Sequence, residues 1–210
     1  MSAMRRRGRP PKLSKESILQ AASEMDLRRL SIVKLAQSLE VTDAAIYYYF
    51  DSRAALVRAV IDQGSVGFAP PRIEKDWWCG MTDYALRVYD SIIESPGAAQ
   101  AMIGGGISGP VQMRIFGAVI RSLVDVGHDQ RSAVMIYSAY FRAALYAAFA
   151  QDELDTVGGL ELTVRERLAV DAGDTVGVDL SPFIADAELY EPRRQLKFLL
   201  DVISDGFSSR

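Results

Sequence analysis

The sequence predicts an all-α protein. Apolar residues recur at three- and four-residue intervals along most of the chain, and Ser14, Ser31, Thr42, Ser52 and Asp129 stand as helix caps ahead of those stripes. In addition, two short helical patterns separated by Glu40-Val41-Thr42 have the spacing of a helix-turn-helix.

With 210 residues, 49% hydrophobic and 24% charged, the chain has the composition of a soluble globular protein with one or two domains. No uninterrupted apolar run approaches the roughly 20 residues that a bilayer requires, and no apolar segment follows the basic N-terminal stretch. A cytoplasmic protein without a membrane partner is expected. Cys79 is the only cysteine and His128 the only histidine, which excludes an internal disulfide and leaves a zinc site dependent on carboxylates. With no Ser-His-Asp set and no metal-ligand cluster, no catalytic residue, metal or cofactor is expected; an enzyme in the helical body is the competing class.

Charge is distributed unevenly. Residues 1–62 hold 11 Lys and Arg against 7 Asp and Glu, net +4, and the remainder holds 13 against 20, net −7. A basic end on an acidic body indicates that the first part meets a polyanion. Met4–Lys12 reads MRRRGRPPK, where Pro10 and Pro11 prevent a helix. Residues 1–13 are therefore expected to form a flexible arm whose Arg5, Arg6, Arg7 and Arg9 reach a minor groove or phosphates; the GRP step flanked by basic residues resembles an AT-hook. A solvated tail is the alternative.

Ile18, Ala22 and Met25 give the first helix its stripe, and Ile32, Leu35, Ala36 and Leu39 the second. The third is expected over Asp43 to about Phe50. Ala36 is small where the two helices of the motif approach, and Leu35, Leu39, Val41 and Ile46 supply its private core. Ser52 caps a fourth helix with Leu56, Val57, Val60 and Ile61 as its apolar face. In helix-turn-helix geometry the third helix enters the major groove, so Thr42, Asp43, Ala44 and Ala45 are the base-facing candidates. The alanines suit a thymine methyl, Thr42 donates or accepts, and Asp43 accepts from a cytosine amino group. Arg53, at a helix start, suits phosphate, as does Lys34.

From Leu35 to Val60, LAQSLEVTDAAIYYYFDSRAALVRAV closely resembles the DNA-binding domain of TetR-family repressors, a likeness covering about residues 14–62. The Leu35-Ala36 pair, Leu39, Val41, the Ile46-Tyr47 pair, Phe50 and Ser52-Arg53 carry it. The resemblance implies that Tyr47 contacts phosphate and that Tyr49 approaches the DNA backbone. Tyr48 is a further candidate, and packing of the aromatic run within the bundle is the alternative for all of them. The chain departs from the family pattern at Glu40, where glycine is usual, at Arg53 in place of lysine, and in the short, glycine-free connector Asp26–Leu30.

Past the junction Gly64–Pro71 the chain reads as a second helical domain, residues 63–210. Trp77, Met81, Tyr84, Val88 and Ile92 mark a long helix ending near Ser95-Pro96, and a short helix runs to about Ile103. Gly104–Gly106 read as a loop, since neither a preceding strand nor a P-loop lysine accompanies them. A helix from Pro110 to Val126 follows. The next, from Asp129 to about Gln151, is apolar on nearly every side, as a helix covered from two directions would be. Asp152–Ser181 is glycine- and acid-rich, with a short helix around Leu162–Val170. The last helix, Glu191 to about Phe207, places Leu196, Leu199, Leu200 and Ile203 on one stripe.

The resemblance implies that two C-terminal helices from each subunit form a homodimer and that a double-stranded, nearly palindromic operator is the DNA partner. It further implies a repressor whose helical domain receives a small-molecule effector. Trp78, Met81, Tyr84, Met102, Met113, Phe116, Tyr137 and Phe141 are the candidate ligand-binding residues, each equally suited to a plain core role. A regulator without an effector is the alternative.

Overall fold

The computed structural model describes residues 13–105, 109–157, 189 and 191–208. Among them are nine α-helices and no strand: α1 Lys15–Ser23, α2 Ile32–Ser38, α3 Asp43–Tyr47, α4 Arg53–Gly64, α5 Trp77–Ile93, α6 Ala98–Gly105, α7 Pro110–Asp125, α8 Gln130–Val157 and α9 Pro192–Ser208. Residues 1–12 of the expected arm, the glycine at 106 and the helix at 162–170 lie outside the described residues.

Each of the first four helices starts where a side-chain oxygen accepts from an otherwise unpaired backbone N–H. Ser14 and Ser17 do so reciprocally at 3.1 and 3.0 Å. Ser31 accepts from Lys34, Thr42 from Ala45 and Ser52 from Ala55. α1 stops at Ser23, so Met25 packs from the following turn rather than from the helix. Ile18, Leu35, Ile46 and Leu56, one from each helix, are completely buried together. Ala36 is buried too, and its carbonyl accepts from Val41 N–H at 2.9 Å, closing the turn.

Helix α3 is shorter than expected. The Ile46 carbonyl accepts from both Tyr49 and Phe50 N–H, tightening the chain after Tyr47 and turning Phe50 into the core. Glu40 adopts φ 55°, the left-handed region the turn requires, at a cost of roughly 1 kcal/mol relative to glycine.

In the body, α8 is the central helix, packed by α5, α6, α7 and α9. Ala133, Ile136, Tyr137, Tyr140, Ala144 and Ala148 form its buried side. Within Gln130–Thr156 an 18-residue window has mean hydropathy 1.3, long and apolar enough by length and composition to cross a membrane, although the sequence has no unbroken apolar run. The helices around it cover part of that apolar surface, while Met135 and Tyr146 stay exposed. α8 also runs six residues past Gln151, because Gln151 bonds Asp155 and Thr156 bonds the Asp152 carbonyl at 2.7 Å, while Asp152 itself holds other elements. Gly127 at φ 109° separates α7 from α8, and Asp129 caps α8 through Arg131 and Ser132 N–H.

α9 divides its expected stripe. Leu196 and Leu200 are buried and Tyr140 is bonded to Ser204 at 2.9 Å, whereas Leu199 is exposed beside Phe198 and Val202. A helix turns 100° per residue, so Leu199 lies off the line that Leu196 and Leu200 share.

Candidate functional site

The reading face is built around α3. Thr42 and Ala44 are exposed and Asp43 and Ala45 half-buried, with the Thr42 hydroxyl oxygen engaged as the N-cap at 3.3 Å from Ala45 N. Tyr47 is half exposed, and its hydroxyl has no hydrogen-bond partner among the described residues. Tyr48 is 83% exposed. Lys34 is exposed on α2. Arg5, Arg6, Arg7 and Arg9 lie outside the described residues.

Two of the phosphate candidates bond to backbone carbonyls. The Tyr49 hydroxyl donates to the Leu13 carbonyl at 2.9 Å, so this ring holds the root of the arm against the end of α3. Arg53 is turned toward the α1–α2 connector: its Nε donates to Leu30 O at 2.6 Å and its Nη2 to Leu27 O at 2.6 Å and Arg28 O at 3.2 Å. Short connectors leave carbonyls without helical partners, and a guanidinium fork satisfies several at once. The sequence reading did not single out Lys15, an exposed cation on α1 lying 5.6 Å from the centre of the Phe50 ring. Its position directly behind the basic arm was the available signal.

Two polar clasps bind this head to the body. Asp62 of α4 is buried, and its Oδ1 accepts from Val111 N at 2.9 Å and Gln112 N at 3.0 Å, placing a carboxylate on the positive end of α7. Gly109 permits the approach, for a Cβ there would lie 1.9 Å from that oxygen. On the other side, Leu27 N donates to Pro96 O at 2.8 Å. Arg28 pairs with Asp26 at 2.9 Å and Asp152 at 3.3 Å and also donates to Thr156. Asp152 in turn accepts from Gly97 N at 3.1 Å. The hydrogen bond from Arg28 lowers the Asp26 pKa below its ordinary value, and Asp26 raises that of Arg28.

Between the clasps lies a cavity of about 240 Å³. Of the residues expected to bind a ligand, Tyr84, Met102, Tyr137 and Phe141 line it, and Trp78, Met81, Met113 and Phe116 do not. Met81 is wholly buried in the core and Met113 is half exposed. Trp78 stands edge-on to buried Trp77, and Phe116 meets Tyr137 edge-on at 4.9 Å as a second layer. Burial pushes the phenols of Tyr84 and Tyr137 up, so both are neutral donors at physiological pH. The remaining wall comes partly from the head: Leu27, Val60, Ile61, Gly64 and Ser65. Ser91, Glu94 and Ser95 of the α5 end and Gln112 and Ile115 of α7 complete much of it. Helical periodicity pairs residues along one helix, whereas this wall joins helices distant in sequence.

A small capped helix-turn-helix head joined to a helical body, with a cavity at their junction, defines the class of DNA-binding transcriptional regulators. Residues 16–60 match the family described as bacterial regulatory proteins, tetR family, so that segment is a TetR-family DNA-binding domain.

The whole fold is that of TetR-family regulators. Apo ActR from Streptomyces coelicolor superposes with a TM-score of 0.76 at 17% identity, covering 93% of this chain and 96% of that one. TetR from Acinetobacter baumannii AYE gives 0.71 at 21%, covering 94% and 98%. A variant of that TetR in complex with minocycline gives 0.69 at 20%, covering 94% and 98%. No curated protein matches the sequence.

Proposed function

We propose that this chain is a cytoplasmic transcriptional repressor that holds a nearly palindromic double-stranded operator as a homodimer and is released by a small apolar or aromatic effector. The observation that carries the proposal is the shared cavity wall. Val60, Ile61 and Gly64 belong to α4 and Leu27 to the connector behind the reading helix, so a molecule filling the space touches head and body together. Such a ligand binds the two head positions with different affinity, which a switch requires.

Head 14–62 and body 63–210 are the two working units, with arm 1–13 following the groove. Thr42, Asp43, Ala44 and Ala45 face the bases, while Tyr47, Tyr48, Lys34 and Lys15 face the phosphates. Exposed Phe198, Leu199 and Val202 on α9, and Met135 and Tyr146 on one stripe of α8, favour pairing of two copies. The minocycline complex of the similar Acinetobacter protein favours a small-molecule effector.

Fluorescence anisotropy against the DNA flanking the chain's own gene, with and without aromatic compounds, tests the proposal. Saturable, sequence-selective binding weakened by a compound is expected; sequence-independent binding overturns it.

A further inference from the structure

We infer that the cavity between head and body selects a cationic amphiphile, an apolar or aromatic molecule bearing one positive charge; this rests on the effector reading above. Among the described residues Glu94 is the only charged side chain in the cavity wall, and no Lys, Arg or His of theirs lines it. It is exposed at the end of α5 and has no hydrogen bond or ion pair among the described residues.

The helix ends around the cavity carry the same sign. α4 ends at the wall with Gly64 and its cap Ser65, and α5 ends there with its cap Glu94; neither has a basic residue in its last turn. Helix C-termini present partial negative charge, and no basic side chain of either last turn offsets it here. The positive ends nearby are already occupied, Asp62 sitting on the start of α7 and Asp152 on Gly97 N just ahead of α6.

The interior suits the rest of such a molecule. The rings of Phe68, Tyr84, Tyr137 and Phe141 offer faces to a hydrocarbon body or to the cation itself. Arg87 is the cation close to these rings, 5.2 Å from the Phe68 centroid, but it is paired with Asp83 at 2.9 Å and is not part of the wall. An anionic ligand would find hydroxyl donors but no positive charge in the described wall, and a neutral one would leave the Glu94 carboxylate unpaired. At about 240 Å³ the space lies at the small end of organic-ligand sites.

The test uses the full-length protein and three probes of matched shape: 4-phenylbutyltrimethylammonium, its neutral isostere with carbon replacing the nitrogen, and 4-phenylbutane sulfonate. Isothermal titration at low salt is expected to show the cation binding about tenfold tighter than the isostere and the sulfonate weakest, with the preference shrinking as salt is added. Glu94→Gln should cut the cation preference about fivefold without changing the isostere's affinity, and Ile61→Trp should abolish binding of all three. Equal affinity for cation and isostere, or tighter sulfonate binding, overturns the charge preference and leaves the effector cavity standing. An unchanged preference in Glu94→Gln overturns the assignment to Glu94. No binding by any probe, or binding indifferent to Ile61→Trp, overturns this inference and removes support from the effector reading together.

Discussion

Asp62 on α4 accepts hydrogen bonds from the backbone N–H of Val111 at 2.9 Å and of Gln112 at 3.0 Å, so one carboxylate of the head satisfies first-turn amides of a body helix whose own N-cap, Gly109, has no side chain to do so. Asp62→Ala leaves both amides without that partner, and a loss of about 1–3 kcal/mol is expected in denaturant unfolding. Because the head would then swing independently of α7, the variant should also lose most of any effector-induced change in DNA affinity. Full retention of that response would show that the link does not transmit it.

The Arg28 clasp should act with a defined pH dependence. Asp26 has a lowered pKa in the folded chain, so its contribution is complete above the unfolded value of about 4 and disappears as pH falls through the lower folded value. Stability attributable to the clasp, taken as the difference between wild type and Arg28→Ala, should be flat from pH 6 to 8 and shrink only below about pH 4. A difference that changes near neutrality would place its origin elsewhere.

Glu40 holds φ 55° in the turn of the reading unit. Glu40→Gly should raise stability by roughly 1 kcal/mol without altering which operator is preferred, since glycine adopts this backbone freely. Thermal melts and operator titrations measure the two effects separately.

Tyr47 and Arg53 should separate when mutated. Tyr47→Phe removes a free phenol and is expected to weaken binding to every sequence with little change in stability. Arg53→Ala removes three carbonyl contacts, so loss of head stability should accompany the loss of affinity, whereas changes at Thr42 or Asp43 should alter operator choice. An unaltered melting temperature in Arg53→Ala would argue that its contacts to the connector contribute little.

On α9, Phe198 is 72% exposed and Val202 52% exposed. Phe198→Glu with Val202→Arg should give monomers in analytical ultracentrifugation and a large loss of operator affinity, because two heads no longer bind one site together. A dimer that survives both charges would move the interface to another face.

The sequence by itself determined the helical class, the caps of the first four helices and the core of the head, because each depends on residues a few positions apart. Tertiary structure decided what those residues face. Arg53 and Tyr49 look in sequence like DNA contacts, and only the fold shows that their polar groups also meet carbonyls 23 to 36 residues away. Four of the expected ligand residues line the cavity, but half its character comes from Leu27, α4 and the acidic end of α5, which only the packing of head on body brings together. Local rules set the backbone and its caps; the direction of a long side chain, and the neighbours across a cavity, depend on helices that no short-range pattern can align.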